Sequence, residues 1–218
     1  MLTGFRRADS HPQVRVIVLT GQGTFFTTGL DLSESMTSIY ESEEEPIIPK
    51  ERLQTLDAYH QLLITTDKIL IAAANGPGVG YGLSSIALFD FVYSDPAAYF
   101  FAPVVKLGVC AEACSSFTFP RILGRQRASM LLLANERIGA AELRDVGLIT
   151  HIVASDRLMP EVMQMAEKII KLPPDSLLAN KALLMRAYRE ELLLANEMKL
   201  RLLRERVRSK EAKVSKMR

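Results

Sequence analysis

The 218-residue chain reads as an α/β protein on three observations. Val14 to Thr20 (VRVIVLT) and Ile69 to Ala74 (ILIAAA) are short, nearly unbroken apolar runs, the pattern of strands buried on both faces. Between them, apolar residues at 53, 56, 59, 62 and 63 recur at helical spacing. Strands that alternate with helical patterns predict crossover units and hence a parallel sheet.

Taken in order, residues 2–8 read as a short helix ended by His11-Pro12, and 14–20 as the first strand. Gly21-Gln22-Gly23 turns the chain into FFTTGLDLSES, where Gly29 permits an unusual backbone angle and Asp31 reads as a helix cap. Residues 33–49, with Ser, Glu and two prolines, read as a surface segment. A helix over 51–66 leads to the strand 69–74, a loop with glycine at 76, 78, 80 and 82, and a helix over 83–89. Further strands are predicted at 91–94, 98–101 and 148–153, and helices at 125–134 and 140–146. Glu112 is placed near the start of a helix that ends around Pro120. From Arg157 onward the pattern is helical only, over 157–171, 175–189 and 191–209. The change at 155 divides the chain into an α/β core, 1–155, and a helical C-terminal part, 156–218.

Composition limits the functions available. Hydrophobic residues make up 48% and charged ones 24%, which argues for a packed globular protein. No apolar run reaches the roughly 18–20 residues of a membrane span, and the N-terminus carries no apolar leader core. Cys110 and Cys114 stand four apart around Glu112, while His11, His60 and His151 are scattered, so no metal site is expected and the thiols read as reduced. The net charge of +2 hides an asymmetry: residues 197–218 hold nine Lys/Arg against three Asp/Glu. Such a tail suits phosphate, nucleic acid or a membrane surface, or is a solvated helix face.

The glycine loop fits neither common phosphate motif. A dinucleotide fingerprint would need glycine where Tyr81 or Leu83 stands, and no Gly-Lys-Ser/Thr follows. GLSSI departs from a nucleophile elbow at Ile86. What remains is a loop suited to close backbone approach. Two turns following strands of one sheet, at FTTGLDL and at GPGVGYG, could aim two N–H groups at one carbonyl oxygen, which suits a reaction passing through an enolate. Glu112, alone among small and apolar residues, is a candidate proton carrier.

VRVIVLTGQGTFFTTGLDLSES, ANGPGVGYGLS, PVVKLGVCAEACSSFTFPRILG and AAELRDVGLITHIV together resemble the crotonase (enoyl-CoA hydratase/isomerase) family, in order and spacing over about 12–155. The resemblance implies a spiral of ββα units with C-terminal trimerisation helices. It implies an acyl-CoA thioester whose enolate oxygen is held by the N–H groups of Leu30 and Tyr81. CoA then arrives as part of the substrate, with no metal or redox cofactor, and the partners are acyl-CoA and two further copies of the chain, with no nucleic acid. The two glutamates of the family's hydratases fall at Ser84 and Val104, neither an acid. CAEACSSFTFP resembles the segment of the peroxisomal Δ3,Δ2-enoyl-CoA isomerase branch that carries one glutamate, which falls at Glu112. The expected activity is isomerisation of a 3-enoyl-CoA to the 2-enoyl-CoA; the alternatives are a hydratase-type lyase or an inactive interaction protein. Lys199, Arg201 and Arg204 are the expected contacts for CoA phosphates. Relative to the family pattern the N-terminus reads as shortened. Ser215-Lys216-Met217 resembles a peroxisomal signal but is followed by Arg218, so the expected location is the peroxisome, or the cytoplasm if this is not a signal.

Overall fold

The computed structural model describes residues 1–29 and 46–216. Its centre is a four-stranded, all-parallel sheet in the order β1-β2-β4-β7, built from β1 (Val16–Thr20), β2 (Ile69–Ala74), β4 (Phe91–Ser94) and β7 (His151–Ile152). A second sheet, β3-β5-β6, joins β3 (Gly78–Val79) in parallel to β5 (Tyr99–Phe101) and β5 antiparallel to β6 (Ile138–Gly139). Every residue of β2 is buried. Its alternate side chains serve two layers. Ile69, Ile71 and Ala73 meet α7 (Ser155–Ile170) through Leu158, Val162 and Ile169. Ala72 and Ala74 face the larger core around Leu83, Ile86, Phe100 and Phe119. This two-sided burial is why the run lacks polar alternation.

The helix over the predicted 51–66 is α2 (Lys50–Thr65), preceded in the chain by α1 (Leu2–Ser10), whose Phe5 ring meets Tyr59 edge-on at 5.4 Å. The helix expected at 83–89 begins two residues earlier. It is α3 (Tyr81–Ser84), followed by a 3-10 turn, Ser85–Leu88. Gly80, at φ 55, reverses the chain so that Tyr81 is already helical. Pro120 does not end its helix: α4 runs Ser115–Leu123 with the proline inside and stops at Gly124, φ 79. The ring removes one hydrogen-bond donor from α4. The strand expected over 148–153 pairs only at His151 and Ile152; Leu148 and Ile149 are buried in the core instead.

Beyond α5 (Arg125–Leu132) and α6 (Ala140–Asp145), the C-terminal helices α7, α8 (Pro174–Arg186), α9 (Arg189–Arg206) and α10 (Lys210–Lys216) return to the body of the molecule. A polar tie fixes α8: Lys181 Nζ lies 2.8 Å from Asp90 Oδ2, which also accepts the Leu70 N–H at 2.7 Å. Among the described residues, no helix is long and apolar enough to cross a membrane.

Candidate active site

The two turns singled out in the sequence lie side by side. Phe26 N–H donates to Pro77 O at 3.0 Å, and Val79 N–H to Thr27 O at 2.9 Å, so the segment after β1 runs along the glycine loop. Gly76 makes this approach possible: a Cβ there would stand 2.0 Å from Thr24 O. At the end of the paired segment, Gly29 (φ 86) brings its α-carbon region to within 3.8 Å of Tyr81 N, measured from where a Cβ would sit. Tyr81 is the first residue of α3, a position whose N–H has no acceptor within its own helix. Leu30, Asp31 and most of the segment 33–49 lie outside the described residues.

Glu112 comes to the same place from the other side. Its Oε1 is 3.5 Å from where a Cβ of Gly80 would project. It lines a cavity of about 110 Å³ with Gly29, Gly80, Val104, Val109 and Leu203. A larger, mostly apolar cleft, about 240 Å³ between Phe89, Phe117 and Tyr188, includes neither Glu112 nor the glycine turn, and its one acid among the described residues, Asp90, is already tied to Lys181 and the Leu70 N–H. Glu112 is followed by Ala113 (φ 48) and Cys114 (φ 61), two non-glycine residues in the left-handed region. Each costs about 1–2 kcal/mol. The pair is held because both side chains are fully buried and because Ser115, Phe117 and Thr118 return N–H bonds to the carbonyls of Glu112 and Cys114. Strain of this kind concentrates where a side chain must be aimed.

Burial pushes the Glu112 carboxyl up to about 7, against a partial downward pull from Lys199. A group poised there can both accept and return a proton near neutrality. The Tyr81 phenol is pushed well above its ordinary range by burial first, then by Tyr59 and Glu112, and its ring stacks on His60 at 5.4 Å.

The sequence-predicted residues separate in space. Val104 lines the Glu112 cavity, whereas Ser84 lies inside α3 with its hydroxyl buried. Arg201 and Arg204 are exposed on α9, and Arg201 lines a groove of about 430 Å³ with Cys110 and Ser116. Lys199 also borders that groove but is 5% exposed, with Nζ turned inward to 3.0 Å from His60 Nδ1. Charge alone grouped the three, but the helical spacing turns Lys199 inward. His60 is a residue the sequence reading passed over. It is 1% exposed, and the available signal was its position beside Tyr59 on the apolar stripe of α2. Arg206 was also missed; its Nε donates to Gly108 O at 3.1 Å and braces the loop that leads to Glu112. Among the described residues, no three His, Cys, Asp or Glu gather as a metal site requires.

A family model described as enoyl-CoA hydratase/isomerase matches residues 1–218. The chain belongs to the enoyl-CoA hydratase/isomerase family. A solved structure of that family, from Pseudoalteromonas atlantica, superposes with a TM-score of 0.86 at 28% identity, covering 99% of this chain and 82% of that one. The crotonase-type α/β fold expected from the motifs is therefore the fold observed. Enoyl-CoA delta isomerase 2 of Rattus norvegicus is 34% identical over 196 residues, 90% of this chain and 49% of that protein. Enoyl-CoA delta isomerase 3, peroxisomal, of Mus musculus is 29% identical over 181 residues, 83% of this chain and 56% of that protein. The chain thus spans about half the length of these two delta isomerases.

Proposed function

We propose that this chain isomerises a 3-enoyl-CoA to the 2-enoyl-CoA, with Glu112 as the single proton shuttle. The observation that carries the reading is the acid inventory of the cavity. Among the described residues lining it, Glu112 is the one carboxyl, and the positions expected to be acids in a hydratase are Ser84 and Val104. The Glu112 carboxylate takes a proton from C2, and the electron pair forms a C1–C2 double bond as the thioester carbonyl pair moves onto its oxygen, giving a dienolate. The N–H groups of Tyr81 and Leu30 stabilise that oxyanion, the first supported by its place beside Gly29 and the second by sequence motif alone. Protonated Glu112 then returns the proton at C4, and the double bond comes to rest between C2 and C3. Only protons move, so no redox or metal chemistry is called for, and CoA enters with the substrate. Addition of water would ask for a second group to position it, which disfavours the hydratase alternative.

In this reading Arg201 and Arg204, exposed on α9, meet CoA phosphates. The partner is further copies of the chain, as a trimer, for which the exposed Leu183, Leu184, Leu194, Met198 and Leu202 on α8 and α9 offer apolar surface. The peroxisomal isomerase among the relatives supports a peroxisomal setting and acyl-chain metabolism. The deciding experiment is an isomerisation assay with a 3-enoyl-CoA, comparing the wild type with Glu112→Gln. Loss of about 10²–10⁴-fold in kcat is expected, the usual worth of a positioned acid–base group. Undiminished activity in the variant overturns the assignment.

A further inference from the structure

Behind the Glu112 cavity lies a polar cluster that the proposed proton shuttle does not itself use. Helix α9 passes along the Glu112 loop, and the two cysteines that flank the acid attach to it. Cys110 Sγ lies 4.0 Å from Lys199 O, and Cys114 Sγ donates to Leu192 O at 3.4 Å. The acid between them is thereby laid against the stretch of α9 that carries Lys199. The Lys199 ammonium is buried, and a buried charge is costly unless an opposite charge answers it.

The groups facing Lys199 can be taken in turn. From α2 come His60 and Asp57; from the loop come Cys110, Glu112 and Cys114. His60 is neutral: burial, then Lys199 itself, pushes its imidazole down to about 3, so Nδ1 is a hydrogen-bond acceptor and not a counter-charge. Both thiols are raised by burial and stay neutral. Asp57 accepts from Asn196 Nδ2 at 2.6 Å and from Gln61 Nε2 at 3.2 Å, neutral amides that leave its charge in place, so it answers Lys199 from the α2 side. Glu112 is the acid that answers it from the loop side. The groups facing Glu112 in return are Lys199, the neutral Tyr81 phenol and the Cys110 thiol.

We propose that Lys199 is a positioning residue for Glu112, a buried ammonium held on His60 that supplies the counter-charge for the Glu112 carboxylate. Lys199 touches no reacting atom in this arrangement. It favours the ionised base over the neutral acid, against a burial that does the reverse. The proposal rests on the isomerase reading for its consequence in catalysis, but not for the electrostatic coupling itself.

The test separates the two. Glutamate carboxyl carbons of the full-length protein are followed by NMR against pH, with Glu112→Gln identifying the signal, in the wild type, Lys199→Gln, Lys199→Met and Lys199→Arg. The glutamine variant keeps a hydrogen-bond donor for His60 and guards against a fold lost by the methionine. Neutralising Lys199 is expected to move the Glu112 midpoint up by about one unit or more, and arginine to return it. The acid limb of kcat/KM for 3-enoyl-CoA isomerisation should move with it. Activity at pH 7 then falls roughly fivefold or more and recovers as pH rises. A midpoint that stays in place in the folded neutral variants, with activity lowered equally at every pH, overturns the proposal and leaves Lys199 a packing residue. If the wild type does not isomerise a 3-enoyl-CoA, the functional reading fails, while the NMR midpoint still decides the role of Lys199.

Discussion

Glu112 carries consequences for stability as well as for chemistry. Its carboxyl titrates at about 7 in the fold against 4.5 when unburied. An acid raised in this way prefers the folded state when protonated. Its contribution is fully present below about pH 4.5 and is lost as pH rises through 7. Glu112→Gln, which stays neutral, should therefore match the wild type near pH 4 and exceed it at pH 8 by on the order of 2–3 kcal/mol. Thermal unfolding at the two pH values checks this, and equal midpoints at pH 8 would contradict the buried-acid picture. Gly80→Ala is the complementary test. There is room for the methyl group, with Glu112 Oε1 at 3.5 Å, but φ 55 with ψ −108 is strained for any side chain. A loss of about 1–3 kcal/mol, measured by denaturant unfolding, is expected, together with a lower kcat as the Tyr81 N–H shifts. At this scale the sequence exposed the glycines and Glu112, because small residues and a lone acid stand out in a row of letters. It hid the left-handed Ala113 and Cys114, which carry no glycine to announce them, and the pairing of His60 with Lys199, which joins positions 139 residues apart.

Among elements, β2 was legible as an unbroken apolar run and α2 by the helical spacing of its apolar residues. β6 was not, since two paired residues are too few to make a pattern; β7 was read too long, as 148–153, because the buried Leu148 and Ile149 look like strand although only His151 and Ile152 pair, with Tyr93 and Ser94. The C-terminal helices were legible as helices but not in what they hold. The tie of α8 shows why, since Lys181 is an ordinary lysine in the sequence and 7% exposed at its side chain in the fold. Lys181→Met removes the partner of Asp90 while keeping the apolar stem. Breaking such a buried pair from one side is expected to destabilise by about 3 kcal/mol, with the Leu70 N–H limiting the loss. Urea unfolding reads this directly. A change below about 0.5 kcal/mol, the size expected of a surface substitution, would show that the pair is no more than a surface contact.

For the whole molecule, the exposed apolar side chains of α8 and α9 set the next expectation. Leu194, Met198 and Leu202 recur at four-residue spacing on one side of α9, each about half exposed. Leu194→Glu with Met198→Glu should dissociate the proposed trimer, as light scattering coupled to gel filtration would report. A wild type that elutes as a monomer at micromolar concentration would remove that proposal. The surface side of α9 and its buried side, where Lys199 and Leu203 sit, are thus expected to serve different ends of the same helix surface.

The topology of the central sheet bears finally on how the molecule comes into being. Val16 pairs with Ile69, and Tyr93 with His151, so neighbouring strands are made at well-separated moments of synthesis. Sheets of this kind fold slowly, because distant segments must meet before any contact rewards the encounter. The wall of the Glu112 cavity includes Leu203 of α9, which is synthesised well after Glu112 itself. A nascent chain that has not yet released α9 therefore holds its acid in water, with an ordinary proton affinity and no closed pocket. The pocket around Glu112 closes only once α9 has been made and docked.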